Sequence, residues 1–198
     1  MFGLILNDGL VAYYPFNGNA RDASGNGNHG NPIGNINYLQ ARYGDGVRLD
    51  GSRGCIIVKD FPHLYSFTIS IYFQIFSLNR ESNNLLAFEN PNDELILFFR
   101  GDNTLRLETH NDEGKPITVL PTGNFVHLVF INDISNNQKQ FFIDSMLVKT
   151  IDHADNYNTG NLLQIGCENS ISQTAGDAGV FNGILDDIRI YNRALSES

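Results

Sequence analysis

Phe67-Thr68-Ile69-Ser70-Ile71-Tyr72-Phe73-Gln74-Ile75-Phe76 is the stretch on which the fold turns. Phe67, Ile69, Ile71, Phe73 and Ile75 are apolar, and Thr68, Ser70 and Gln74 between them are polar. Alternate residues of an extended strand share one face, so this pattern buries one face and leaves the other to polar surroundings. A helix would repeat apolar residues at i, i+3, i+4 and i+7, and the chain sustains no such pattern. The nearly apolar run from Phe67 to Leu78 is broken by Thr68, Ser70, Gln74 and Ser77 and falls short of the roughly 20 residues a membrane helix needs. The stretch reads as a strand, and no membrane insertion is expected.

Working outward, short alternating or β-branched runs recur between Gly, Asn, Asp and Pro. They predict strands near Leu10 to Phe16, Val47 to Asp50, Cys55 to Val58, Leu85 to Phe88, Leu95 to Phe99, Leu105 to Thr109 and Ile117 to Leu120. Others follow near Phe125 to Ile131, Gln140 to Ile143, Leu147 to Ile151, Leu162 to Ile165 and Ile184 to Tyr191. Gly101-Asp102-Asn103 reads as a hairpin turn, and so does Asp144-Ser145, where Asp-Gly is the commoner pair. Many short strands at this spacing, with no helix between them, predict an all-β chain of two packed antiparallel sheets, a jelly-roll β-sandwich. No Pro-rich linker, charge block or internal repeat divides residues 1–198, so one domain is expected.

With 198 residues, 41% hydrophobic and 18% charged, the chain is expected to form a sizeable core. Thirteen basic against 22 acidic residues give a net charge of −9, with the basic residues scattered. Phosphate backbones and anionic lipid surfaces attract the opposite field, so nucleic acid is not an expected partner. Hard cations and neutral sugars are compatible with it. Met1 to Leu6 is apolar but lacks a basic segment before it and gives way at once to Asn7-Asp8-Gly9, so it is not a complete secretory signal. Cys55 and Cys167 are the only cysteines, and whether they pair stays open at this point. The Asn-rich sequence holds no Asn-x-Ser/Thr acceptor, which favours a bacterial source.

Chemistry concentrates in Asp22-Ala23-Ser24-Gly25-Asn26-Gly27-Asn28-His29-Gly30. Oxygens at the first, third and fifth positions and a glycine at the sixth copy the first half of a calcium loop. The twelfth position is Ile33, so no carboxylate closes the cage from within the loop. A candidate donor lies in Gly183-Ile184-Leu185-Asp186-Asp187-Ile188-Arg189-Ile190-Tyr191. Strict alternation puts Asp186 inward with Ile188 and Ile190, and Asp187 outward with Arg189 and Tyr191. A buried carboxylate needs a metal or hydrogen-bond partners. A cation site and a tight turn with Asp186 capping a backbone N–H are both consistent with these residues.

Gly9 to Ala20, the Asp22–Gly30 loop, Leu49-Asp50-Gly51 and Phe181 to Ser196 together resemble the bacterial laminin-G-like modules of the concanavalin A-like lectin/glucanase superfamily. The resemblance runs from Gly9 to Ser196 and implies a jelly roll whose first and last strands pair, bringing Asp22 near Asp186. It further implies a structural Ca2+ at that junction, with Asp22, Ser24, Asn26, Asn28 and Asp186 as metal residues. Where such modules carry Trp, this chain has Tyr72 and Phe125, and it contains no Trp at all.

Glycosidase chemistry needs two carboxylates flanking the sugar bond. Glu89, Asp93 and Glu94 read as solvated loop charges, and Glu108 stands alone. No Gly-x-Ser-x-Gly, His-Glu-x-x-His or phosphate-cradling loop occurs, and the five histidines show no metal-ligand spacing. The expected function is therefore a non-catalytic, extracellular or cell-surface recognition module for a carbohydrate or glycoconjugate. Tyr38, Tyr43, Tyr65 and Tyr157, in loop-like stretches, are the candidate ligand-binding residues. The alternatives are a ligand-free interaction or spacer domain of a larger adhesin or enzyme and, behind it, a glycoside hydrolase or lyase.

Overall fold

The structure, a computed structural model, describes residues 7–78, 82–90, 93–109, 112–156, 161–168 and 179–196. In chain order the strands are β1 (Leu10–Tyr14), β2 (Asn31–Ile33), β3 (Ile36–Gln40), β4 (Asp45–Asp50), β5 (Cys55–Phe61), β6 (Phe67–Ile75), β7 (Asn83–Asn90) and β8 (Asp93–Phe99). They continue with β9 (Thr104–Thr109), β10 (Asp112–Val119), β11 (Phe125–Asp133), β12 (Gln138–Ile143), β13 (Met146–Ile151), β14 (Asn161–Ile165) and β15 (Asn182–Tyr191). No helix occurs among the described residues.

Two antiparallel sheets form the sandwich. The first has the order β13-β12-β11-β6-β15-β4-β3, with β1 also paired to β15, and the second has the order β10-β9-β8-β7-β14-β5-β2. The alternation in β6 does what it predicts: Phe67, Ile69, Ile71, Phe73 and Ile75 are all in the core. Phe67 meets Phe88 of the facing sheet with ring centroids 6.3 Å apart, and Phe73 meets Phe99 at 5.5 Å. Burying each such ring contributes roughly 2–3 kcal/mol by area.

The last strand organises the first sheet. One edge of β15 pairs along its length with β6; the other pairs with β4 over Asn182–Leu185 and with β1 further on. Gly183 is required where β15 crosses β6, because a Cβ there would lie 2.0 Å from the Gln74 carbonyl oxygen. At the handover from β4 to β1 the register against β6 shifts between Asp186 and Arg189, and Asp187 has φ of 50°. This is a β-bulge, which adds one residue and breaks strict alternation.

Two strands go beyond the sequence reading. β2 and β3 are short, mostly exposed edge pieces, so they lack the buried apolar face that marks a strand in sequence. Both expected hairpins form: Asn103 has φ of 65° between β8 and β9, and Asp144 and Ser145 have φ of 48° and 70° between β12 and β13. Cys55 and Cys167 are joined as a disulfide with Cα atoms 5.5 Å apart, tying β5 to the segment after β14.

Candidate functional site

The outer face of the first sheet carries a cleft of about 480 Å³ lined by residues of β1, β6, β11 and β15 together with Tyr43 and Leu195. Leu185, Ile188 and Ile190 point into the core, so the bulge between them carries Asp187 outward, where it lines this cleft with Arg189 and Tyr191. Asp186 is paired in register with Tyr72, also of the outer face. The expectation that Asp186 faces inward with Ile188 and Ile190 is thus corrected, because one extra residue resets the period-2 phase.

Each wall of the cleft is fixed by a specific contact. The Tyr72 and His127 rings lie 4.1 Å apart at 5° to each other, and Tyr43 packs edge-on against Tyr72 at 5.1 Å. His127 Nε2 is 2.8 Å from Ser70 Oγ. Arg189 Nη1 reaches Asp187 Oδ2 at 2.6 Å, and the guanidinium carbon stands 4.5 Å from the Tyr13 ring centroid. Burial holds the imidazole of His127 below its ordinary pKa, so the ring is neutral at neutral pH. Burial, then the Tyr43 hydroxyl, pushes Tyr72 up to about 12, so its hydroxyl stays protonated. The Asp187 and Arg189 charges cancel across their short contact. What the cleft offers is aromatic faces, hydroxyls and one internally neutralised ion pair, which suits an uncharged, polyhydroxylated ligand.

The Asp22 loop is built around the Asp22 carboxylate and the Val11 carbonyl. The Asp22 carboxylate accepts from the N–H of Tyr13 at 2.9 Å, the N–H and hydroxyl of Ser24 at 2.8 and 2.9 Å, and the N–H of Asn28 at 3.0 Å. The Val11 carbonyl accepts from Ser24 Oγ at 3.1 Å, Asn26 Nδ2 at 3.0 Å and Asn28 Nδ2 at 2.9 Å, while Asn26 Nδ2 also reaches the Leu10 carbonyl at 2.8 Å. Burial opposes ionisation of Asp22, but these donors outweigh it and hold the carboxyl below the usual carboxylate value. Asp186 has a different partner: its Oδ2 accepts from the Tyr43 N–H at 2.8 Å, in the turn between β3 and β4. Its Oδ1 is buried with no hydrogen-bond partner among the described residues.

Of the tyrosines picked from sequence, Tyr43 lines the cleft. Tyr38 lies on β3 rather than in a loop and packs half-buried against the core. Tyr65 is exposed and meets the His63 ring edge-on at 4.5 Å, away from the cleft. Tyr157 lies outside the described residues. Sequence reasoning missed Tyr13, Tyr72, His127, Asp187, Arg189 and Tyr191 as one group. Their signal was the outward phase of strands whose inward phase is core, which becomes a site only when register aligns the strands.

The acidic residues also depart from expectation. Glu89 is in β7, directly opposite Glu94 of β8, so these are strand residues rather than loop charges. Burial pushes the Glu168 carboxyl up, the Asn84 amide opposes it, and the charges of Glu94, Glu89 and Glu108 push it further. Glu108 is therefore not isolated, as its place in the sequence suggested.

Over residues 17–198 the chain matches the model of the concanavalin A-like lectin/glucanases superfamily, and it belongs to that family. None of the curated proteins matches it. Domain 4 of AbnA, a GH43 extracellular arabinanase from Geobacillus stearothermophilus solved with arabinotriose, superposes with a TM-score of 0.76 at 21% identity over 94% of both chains. A botulinum neurotoxin type C structure, whose cell entry depends on two ganglioside molecules, superposes at 0.73 with 14% identity over 97% of this chain and 50% of the toxin chain. The Trypanosoma rangeli sialidase superposes at 0.67 with 16% identity over 95% of this chain and 31% of the enzyme. At these identities the likeness is one of fold.

Proposed function

We propose that this is a non-catalytic, extracellular or cell-surface recognition module that binds a carbohydrate or glycoconjugate in the cleft on the outer face of its first sheet. The observation that carries this reading is the stacked Tyr72–His127 pair, edged by Tyr43 and faced by the Arg189–Asp187 pair. Carbohydrate-binding relatives of the same fold support it, and arabino-oligosaccharides lead the screen because one of them is held by the arabinanase domain.

A panel of soluble neutral oligosaccharides, titrated calorimetrically, is the test. Binding that Tyr72→Ala weakens at least tenfold, about 1.4 kcal/mol, supports the assignment. A panel in which no oligosaccharide binds moves the protein to the interaction or spacer class. Release of reducing sugar that Glu168→Gln abolishes would make it a hydrolase instead.

We further propose that a structural Ca2+ is held at the Asp22 loop. Asp22, Ser24 and the carbonyls of Leu10 and Val11 converge there, and the O and N of an amide exchange by a half-turn, so Asn26 and Asn28 are able to present oxygen to the same place. Bound Ca2+ would supply positive charge that ties the loop to β1, while Asp186 keeps its own partner at Tyr43. Thermal melting in calcium, in magnesium and in chelator checks this. Calcium a thousandfold above its dissociation constant should add about 4 kcal/mol, and Asp22→Ala should abolish that gain. Identical melts in calcium and chelator, in protein shown metal-free by elemental analysis, leave the loop as a hydrogen-bonded turn.

A further inference from the structure

A second cleft of about 580 Å³ adjoins the first and is lined by His127, Val129, Ile131, Phe142, Ser145, Leu147, Leu195 and Ser196. His127, Val129 and Leu195 belong to both, so the two form one continuous groove. Its chemistry is graded. Register neighbours cross the face as Tyr13 on β1, Arg189 on β15, Ser70 on β6, Val129 on β11, Phe142 on β12 and Leu147 on β13. At about 4.8 Å per strand the row runs roughly 24 Å, from a hydrogen-bonding end to an apolar one. Leu147, 49% exposed on edge strand β13, leaves the apolar end open to solvent.

We propose that the groove takes a neutral sugar joined to an apolar aglycone, with the sugar over Tyr72 and His127 and the aglycone along Val129, Phe142 and Leu147. This deepens the carbohydrate reading and rests on it. An apolar groove alone fits any greasy partner, but this one continues without a break from a hydrogen-bonding cleft, which selects a ligand amphiphilic along its length. The internally paired Arg189 favours a neutral head over an anionic one. Apolar area removed from water is worth about 25 cal/mol per Å², so a chain of several methylenes in the second half should tighten binding well beyond tenfold.

The test titrates methyl and n-octyl glycosides of glucose, galactose, mannose and arabinose, all below micelle-forming concentration, into the protein and its variants. The expected result is that an octyl glycoside binds at least tenfold more tightly than the methyl glycoside of the same sugar. Leu147→Asp, at a half-exposed edge position that lines the second cleft alone, should remove that gain and leave methyl-glycoside binding unchanged, and the milder Leu147→Ser serves as the second variant. Tyr72→Ala should weaken both probes. Equal affinity for methyl and octyl forms overturns the two-part groove while the sugar site stands. Octyl binding matched by n-octanol and insensitive to Tyr72→Ala, with every methyl glycoside silent, overturns both. Co-sedimentation with phosphatidylcholine vesicles carrying the ceramide glycoside of the same sugar marks a membrane glycolipid as the source, and octyl binding without co-sedimentation marks a soluble glycoside.

Discussion

Two aspartates show how much a single residue's surroundings decide. Asp22 is surrounded by donors and Asp186 is not, so the first ionises more readily than in an unfolded chain and the second less readily. For Asp186 burial leads, the Tyr43 N–H opposes it, and the adjacent Asp187 charge adds to it. A carboxyl whose folded pKa is raised stabilises most below its unfolded value and loses that contribution as pH climbs through the window from the unfolded to the folded value. Asp22, with a depressed pKa, does the reverse: its contribution is complete above the unfolded value and disappears as pH falls through the folded one. Asp186→Asn should therefore gain on the parent protein as pH rises from the ordinary carboxylate pKa towards neutrality. Urea unfolding across that range measures it, and a parallel pair of stability curves rejects the assignment. The bare sequence suggested that Asp186 is buried. That its partner is the Tyr43 backbone, and that it shares a face with Tyr72, was hidden by a bulge that alternation cannot anticipate.

Strands with a one-sided apolar pattern were legible, because burial writes itself into residue type. β6, β11 and the core half of β15 are of this kind. Edge strands β2 and β3 were not, since Asn31–Ile33 is wholly exposed and carries a proline. The cleft was illegible for a different reason: Tyr13, Tyr72, His127 and Arg189 are far apart in the chain and meet only through strand register. Turn chemistry was readable and makes a prediction. Ser145 holds φ of 70° in the β12–β13 hairpin, a conformation that costs a residue with a Cβ roughly 1 kcal/mol. Ser145→Gly should raise stability by about 0.5–1 kcal/mol in equilibrium denaturation, glycine's greater unfolded-state entropy offsetting part of the gain. Unchanged or lowered stability would show that the Ser145 side chain contributes contacts of its own.

For the molecule as a whole, the disulfide links points 112 residues apart and closes much of the chain into one loop. By chain-entropy reasoning such a loop is worth about 4–5 kcal/mol, a large share of the stability of an ordinary domain. Both sulfurs sit in a small buried cluster with Ile57, Leu162 and Val180, so reduction should be slow in the folded protein and fast once it opens. Replacing both cysteines by alanine should lower the melting temperature sharply, and reductant should then have no further effect on the variant. A double variant that melts with the parent would show that the sandwich stands without the bridge.

The central place of β15 bears on how the chain acquires its structure. A strand that leaves the ribosome after β1, β4 and β6 lies between β6 on one side and β4 and β1 on the other, so these neighbours wait, unpaired along those edges, until it emerges. Pairing across more than a hundred residues is entropically costly and slow to nucleate. Nascent chains lacking Asn182–Tyr191 thus expose two raw sheet edges at once, and the interval before β15 emerges is when this protein most needs protection from its own copies.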